Sequence, residues 1–314
     1  MIINFKFLVI LFIKILFVFT CFYYLLNNNF VDFSVILPFL FKDIKILIVL
    51  FCFTLFTIII ATIRWHLILK SLNFKIDFRK VLEIVYIGTF FNNLLIGGYG
   101  GDALRVYYIF NASEEKKLSL SLSVLVDRLI GFLGLSIIGT IFLFQILNIT
   151  EIYEYLIQYI NIYIIILILL LICSFYIFNS FKKVREILIK FFNYLLNNKI
   201  IFCNCLILSI ILFSIVNYSV YIISDYIFNF EIYLKQIFFS NSVTVVMNSL
   251  PITPGGFGIG ELSFVKLNNL FIDNNKLVGL ANVIIYFRIV NFIVSFPAII
   301  FYLRYKNKYY SFNK

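Results

Sequence analysis

Long apolar runs separated by short polar stretches make up most of this chain. Six of them are long enough to cross a bilayer: residues 5–26, 44–63, 118–146, 160–178, 200–228 and 277–303. A crossing helix needs about 20 apolar residues. Each run is predicted to be helical, because an isolated strand cannot satisfy its own backbone in lipid. Two further apolar regions, about 82–110 and 236–270, are interrupted by glycine clusters. Each is too short for two full crossings at about 20 residues apiece.

The polar stretches orient the chain. Arg64, Lys70, Lys75, Arg79 and Lys80 follow the second run, and Lys182, Lys183, Arg185, Lys190 and Lys199 separate the fourth from the fifth. Arg304, Lys306, Lys308 and Lys314 close the chain, whereas the segment after the third run carries Glu151 and Glu154 and no base. With both termini and the basic segments cytoplasmic, 18 of the 26 basic residues lie inside. Five lie outside (Lys42, Lys45, Lys235, Lys266, Lys276) and three within spans (Lys14, Arg128, Arg288). That bias follows the positive-inside rule. It requires region 82–110 to enter and leave on the inner side, and region 236–270 on the outer side. Two opposed re-entrant helical hairpins are therefore predicted, their broken backbone buried in protein or lining a wet cavity.

Composition agrees. Hydrophobic residues reach 63%, charged residues only 13%, and mean hydropathy is +1.04. A soluble domain is nearer half apolar and a quarter charged. The expected class is an all-α polytopic membrane protein of six full spans and two hairpins, in the plasma membrane. A single transmembrane domain over 1–314, ending in a basic tail 304–314, is the simplest division. The net charge of +11 is accounted for by the inner loops, so no nucleic-acid partner is expected. The apolar N-terminus is not followed by a small-x-small cleavage site and reads as an uncleaved first span. Residues 182–199 read as an amphipathic helix on the inner surface. Cys21, Cys52, Cys173, Cys203 and Cys205 lie in or beside apolar segments without zinc-ligand spacing. His66 is the only histidine, which gives metal hydrolysis and His-based triads little support. No metal or cofactor is indicated.

The two glycine clusters resemble each other. "NNLLIGGYGGD" (92–102) and "NSLPITPGGFGIGE" (248–261) share Asn, a small polar residue, Leu, Gly-Gly-aromatic-Gly, and Gly before an acid. The likeness continues downstream. In "DRLIGF" Arg128 lies 26 residues after Asp102, and in "FRIVNF" Arg288 lies 27 after Glu261; Phe132 then aligns with Phe292. Two spans, a hairpin and a span fill about 1–148, and the same order fills 160–303. An odd number of crossings in each half makes this an inverted repeat, a common plan in secondary transporters.

The chemistry gathers at the repeats. Gly97, Gly98, Gly100 and Gly101, with Gly255, Gly256, Gly258 and Gly260, permit left-handed backbone and close approach to a ligand. Pro251 and Pro254 end a helix. Helix N-termini exposed there offer partial positive charge to an anion, although glycines that only let helices pack closely would look the same. No Gly-Lys-Ser/Thr ending is present, so this is not a nucleotide loop. Asp102, Asp127, Arg128, Glu261 and Arg288 lie near membrane depth, where each charge costs about 2.5–3.5 kcal/mol unless paired. Asp102 or Asp127 is expected to pair with Arg128, and Glu261 with Arg288. The arginines would hold a phosphate-bearing headgroup, or the pairs would only lock helices together. Asn92, Asn93 and Asn248 join the candidate path. Arg105 and Arg64 are secondary candidates: a cytoplasmic anchor accounts for Arg105, and a snorkelling Arg beside an interfacial Trp for Arg64-Trp65.

"FFNNLLIGGYGGDALRVYYI", "VLVDRLIGFLGL" and "LPITPGGFGIGELSF" resemble the three signature blocks of the flippase-like membrane proteins related to the transmembrane domain of lysylphosphatidylglycerol synthases. Arg64-Trp65 also resembles the family pattern. Ile96 stands where the family often has proline, and Asp127 where Glu is common; neither removes a key group. The resemblance implies movement of a polar or isoprenoid-linked lipid between leaflets, without synthase activity. Two alternatives stay open: a membrane glycosyl- or phospho-transferase on such a lipid, and a scaffold for an envelope-lipid synthesis enzyme.

Overall fold

A computed structural model describes residues 5–32, 34, 38, 43–72, 74, 76–94, 100–110, 117–146, 198–230, 232–249, 253, 255–271 and 278–312, with side chains between 16 and 305 except at 94, 110, 117–119 and 122. The described residues form ten α-helices and no strand. They are α1 (Phe5–Asn27), α2 (Ile44–Ser71), α3 (Phe78–Leu94), α4 (Gly100–Phe110), α5 (Lys117–Ile146), α6 (Lys199–Ile222), α7 (Leu234–Ser249), α8 (Ile259–Asn268), α9 (Ala281–Ser295) and α10 (Ala298–Phe312).

The apolar runs become helices because only that conformation satisfies every backbone group locally. Among the described residues three are long and apolar enough to cross a membrane: Ile44–Ser71, Ser123–Ile146 and Lys199–Ile227. Asp43 starts α2 by accepting hydrogen bonds from the backbone N–H of Lys45 and Ile46 at 2.9 and 3.4 Å, as an N-cap should. A π-turn over Ile223–Ile227 closes α6. The run 277–303, expected as one helix, is two. The axes of α9 and α10 differ by 45° across Phe296 and Pro297. Proline has no N–H to continue the ladder, and its ring crowds the preceding turn. The fourth run, 160–178, and nearly all of the amphipathic segment 182–199 lie outside the described residues.

The two interrupted regions fold as helix pairs, α3 with α4 and α7 with α8. Their arms are 17, 11, 16 and 10 residues long. At about 1.5 Å per residue they measure about 26, 17, 24 and 15 Å, each below a hydrocarbon thickness of about 30 Å.

Packing within the first half has counterparts in the second. Helix α2 meets α3 as α6 meets α7, and α4 meets α5 as α8 meets α9. Helix α3 lies against α9 as α7 lies against α5, and α2 packs on α6. The surface is apolar, with Phe19, Ile48, Phe56, Phe144, Ile207 and Phe296 exposed. The interior holds Arg64, Asp102, Arg105, Asp127, Asn217 and Glu261, all at most 6% exposed. An apolar coat around a polar centre is the arrangement that suits lipid surroundings.

Candidate functional site

The second helix pair is closed at its tip by Arg288. Gly255, Gly256 and Gly258 have φ of +58°, +71° and +82°, a left-handed region that side chains other than glycine rarely adopt. This curl points the tip carbonyls at α9. Arg288 Nη1 donates to Gly255 O at 2.7 Å, and Nη2 donates to Asn248 Oδ1 at 2.8 Å and to Gly256 O at 2.9 Å. The Nε lies 2.9 Å from Glu261 Oε1, an ion pair off the hydrogen-bond line. The other oxygen, Glu261 Oε2, accepts from the Gly258 N–H at 2.8 Å and caps α8. The guanidinium also stacks over Phe257 at 4.5 Å. Glu261 is fully buried.

The first pair repeats the plan. Asn92 Oδ1 accepts from the Gly101 N–H at 2.8 Å, tying α3 to the start of α4. Arg128 Nε donates to Asp102 Oδ2 at 2.6 Å, as Arg288 Nε faces Glu261. The glycines before the two acids are required by close approach. A Cβ at Gly101 would lie 1.8 Å from Gly88 O, and one at Gly260 would lie 2.0 Å from Asn248 Oδ1. The tip residues Gly97, Gly98, Pro251 and Pro254 lie outside the described residues.

Arg64 and Arg105 are not surface groups. Helix α2 runs on past residue 63 to Ser71, which carries Arg64 into the protein, where it is 6% exposed. Its Nε donates to Asp127 Oδ1 at 2.7 Å and its Nη1 to Ser209 Oγ at 2.8 Å. Trp65 is wholly buried and donates to Ser123 Oγ at 3.2 Å. Snorkelling and an interfacial tryptophan are thus replaced by a buried ion pair and a core indole. Arg105, expected as an anchor, is also 6% exposed. Its Nη1 donates to Asp127 Oδ2 at 3.4 Å and lies 3.6 Å from Asp102 Oδ1. Its guanidinium sits 5.5 Å from the Trp65 ring centre, and its buried Nε has no hydrogen-bond partner among the described residues. Asp127 therefore serves Arg64 and Arg105, while Asp102 takes Arg128.

These groups surround one cavity of about 360 Å³. Arg64, Arg105, Arg128 and Arg288 all reach its wall, with Asp127 the only carboxylate there among the described residues. Asp102 and Glu261 stand behind their arginines. Asn92, Asn93, Asn248 and Gly255 also line it. Asn93 also donates to Ser295 Oγ at 3.3 Å.

Several lining groups were not singled out in the sequence: Asn241, Asn291, Phe213 and Phe287. Asn241 Nδ2 donates to Asn217 Oδ1 at 2.7 Å, and Asn217 Nδ2 to Ser242 Oγ at 3.1 Å. The signal for them was an amide inside an apolar run, in "IVNYSV" and "FFSNSV"; such groups at membrane depth face the interior and pair. A buried, arginine-rich cavity with amide walls offers an anion charge-assisted hydrogen-bond donors. Among the described residues no group of His, Cys, Asp and Glu is placed to hold a metal ion.

Residues 8–298 match the family described as the lysylphosphatidylglycerol synthase TM region, and the chain belongs to that family of integral membrane proteins. It is also similar to a UPF0104 membrane protein of Pyrococcus horikoshii, 34% identical over 90 residues, covering 28% of this chain and 27% of the relative. A UPF0104 membrane protein of Methanocaldococcus jannaschii is 31% identical over 87 residues, 26% of each chain. The matched stretch spans about a quarter of the length of these curated relatives.

Proposed function

We propose that this protein is a lipid flippase: the cavity holds the phosphate of a polar or isoprenoid-linked lipid while it passes between leaflets. One observation carries the reading. Four arginines from both halves of the chain converge on a cavity inside an apolar shell. Charge is expensive at membrane depth and marks substrate paths there. A volume near 360 Å³ is at the low end for ligand sites, about 300–1,000 Å³. It accommodates a headgroup, and the acyl or isoprenoid tails stay in the bilayer.

The architecture that goes with this function has six full spans, with α3–α4 and α7–α8 as re-entrant hairpins. The arm lengths support it, because no arm reaches across about 30 Å of hydrocarbon. The matched packing of the two halves supports an inverted repeat. The basic loops support cytoplasmic termini in the plasma membrane.

The test uses the full chain in liposomes with a fluorescent lipid whose outer-leaflet fraction is bleached by dithionite. The wild type moves label between leaflets. Arg105→Gln and Arg128→Gln insert normally and lose that movement. Modification of the headgroup without movement would replace the reading with a transferase. Movement unchanged in both variants would remove the cavity from the path and leave a scaffold.

A further inference from the structure

Hydrogen-bond direction divides the cavity wall into donors and acceptors. The amide of Asn241 is oriented by a chain of bonds behind it. Ser242 Oγ donates to Phe238 O at 2.6 Å, so it accepts from Asn217 Nδ2 at 3.1 Å. Asn217 thereby turns its Oδ1 to Asn241, whose Nδ2 donates to it at 2.7 Å. Asn241 Oδ1 is left for the cavity that this residue lines. Asn291 reaches the same outcome within its own helix. Its Nδ2 donates to Phe287 O at 3.0 Å, and a backbone carbonyl can only accept, so Oδ1 is again the atom left over. Asn93 Nδ2 is held by Ser295 Oγ, which gives its own proton to Phe292 O at 3.1 Å. Thr89 and Ser249, also on the wall, donate to Tyr86 O and Val246 O at 2.7 and 2.6 Å and keep only lone pairs. Arg64 and Arg105 bring the donors. Arg64 uses Nε on Asp127 and Nη1 on Ser209, and Arg105 uses Nη1 on Asp127. Among the described residues neither Nη2 has an acceptor.

We infer that the acceptor set reads the headgroup beyond its phosphate, so that the lipid this cavity takes carries O–H or N–H donors there. This rests on the reading of the cavity as a lipid site. A phosphodiester only accepts, and the free guanidinium N–H groups suit it. Asn93, Asn241, Asn291, Thr89 and Ser249 do not, because two acceptors have no proton to share. The acceptors come from α3, α7 and α9, and the free arginine donors from α2 and α4. Phosphate and head are therefore gripped by different helices. A glycerol or sugar hydroxyl, or a primary ammonium, supplies the protons that the acceptors lack. A methylated ammonium or a plain alkyl ester supplies none. Its entry would displace water from the amide oxygens and leave them unpaired, and an unsatisfied buried acceptor is penalised more than a bond that was never offered.

Native mass spectrometry of the detergent-purified full chain compares lipids in pairs of equal charge and matched tails. Phosphatidylglycerol and phosphatidylmethanol differ in hydroxyls, and phosphatidylethanolamine and phosphatidylcholine differ in N–H groups. An isoprenyl phosphate sugar and the methyl ester of the same isoprenyl phosphate form the third pair. The donor-bearing member should bind about tenfold tighter in at least one pair, and that pair names the donor and the tail. Asn291 makes its one hydrogen bond among the described residues inside α9, so Asn291→Leu breaks no bond between helices. It should bring the ratio down toward one while the donor-free lipid binds as before, and Asn291→Gln, which keeps the amide oxygen, should restore it. A side chain with only a structural role would weaken both members alike. Equal binding within every pair, or a full ratio kept by Asn291→Leu, with binding still lost in Arg105→Gln, would overturn the donor inference and leave the lipid site standing. Binding that survives Arg105→Gln, or no binding of any pair, would overturn the lipid reading of the cavity itself.

Discussion

Asp127 joins two arginines from different helices, so its charge is the most informative to remove. Asp127→Asn keeps the shape and leaves Arg64 and Arg105 without their carboxylate. The ion-pair contacts are 2.7 and 3.4 Å, and Asp127 is 2% exposed. Two unit charges at about 4 Å attract by about 4 kcal/mol at an effective dielectric near 20. The two pairs together are therefore worth about 8 kcal/mol gross. Relief from burying the carboxylate offsets part of that loss. Breaking a buried pair from one side costs about 3–5 kcal/mol net, which corresponds to a fall in Tm on the order of 10 °C. The chain carries its own probe. Among the described residues Cys21 and Cys205 are buried, and Cys52 and Cys203 exposed. A thiol-reactive fluorophore in detergent reads the exposed pair at once and the buried pair on heating. Cys205 is well placed, its Sγ lying 3.7 Å from Arg64 O. Asp43→Asn is the control, because Asn caps a helix about as well as Asp. Asp127→Asn melting with the wild type would refute the buried pairing. So would a double-mutant cycle with Arg64→Gln that shows no coupling.

Three further substitutions separate other features. Gly101→Ala should be worse than Gly260→Ala in the same melting assay. Its Cβ meets the backbone oxygen of Gly88, whereas the other meets a side-chain amide; overpacking costs about 1–3 kcal/mol where a neighbour can shift and more where it cannot. Asn241→Leu should lose about 1–3 kcal/mol by stranding the buried oxygen of Asn217, and Asn217→Leu/Asn241→Leu should recover part of it; a double variant no more stable than the single one would refute that assignment. Trp65→Phe should cost at least about 1 kcal/mol for its lost bond to Ser123; no loss would mean that the indole N–H is not bonded.

Much of this architecture was legible in the sequence because lipid narrows the choices. An apolar run must be a helix, and Gly-Gly-aromatic-Gly must break one. Six of the eight apolar stretches, including both broken ones, therefore appear as helices close to where the sequence puts them, and a seventh, the last run, appears bent at Pro297. The repeat also pointed to two ion pairs: spacings of 26 and 27 residues from acid to arginine set Glu261 against Arg288 and left Asp102 or Asp127 for Arg128, which pairs with Asp102. Arg64 and Arg105 were harder. A base at the end of an apolar run has a sufficient local explanation in snorkelling, and only the tertiary position of Asp127 overrides it. The same holds for Ser209, whose hydroxyl could have bonded its own helix alone. It does so, donating to Cys205 O at 2.8 Å, and also accepts from Arg64.

The halves match in packing but not in how tightly Arg105 and Arg288 are held, and this difference divides their roles. Arg288 is engaged by Gly255 O, Gly256 O, Asn248 and Glu261 at 2.9 Å or less. An anion that drew it away would have to break the tip of its own hairpin. Arg105 holds one long hydrogen bond of 3.4 Å, so an anion in the cavity can add bonds to it without removing any. Arg288→Gln is therefore expected to act first on stability, lowering Tm in the thiol assay as the tip carbonyls lose their donor. Arg105→Gln is expected to act first on binding, with a smaller change in Tm. The reverse order, with Arg105→Gln melting early and Arg288→Gln binding poorly at full stability, would place the anion against the second hairpin and undo this division.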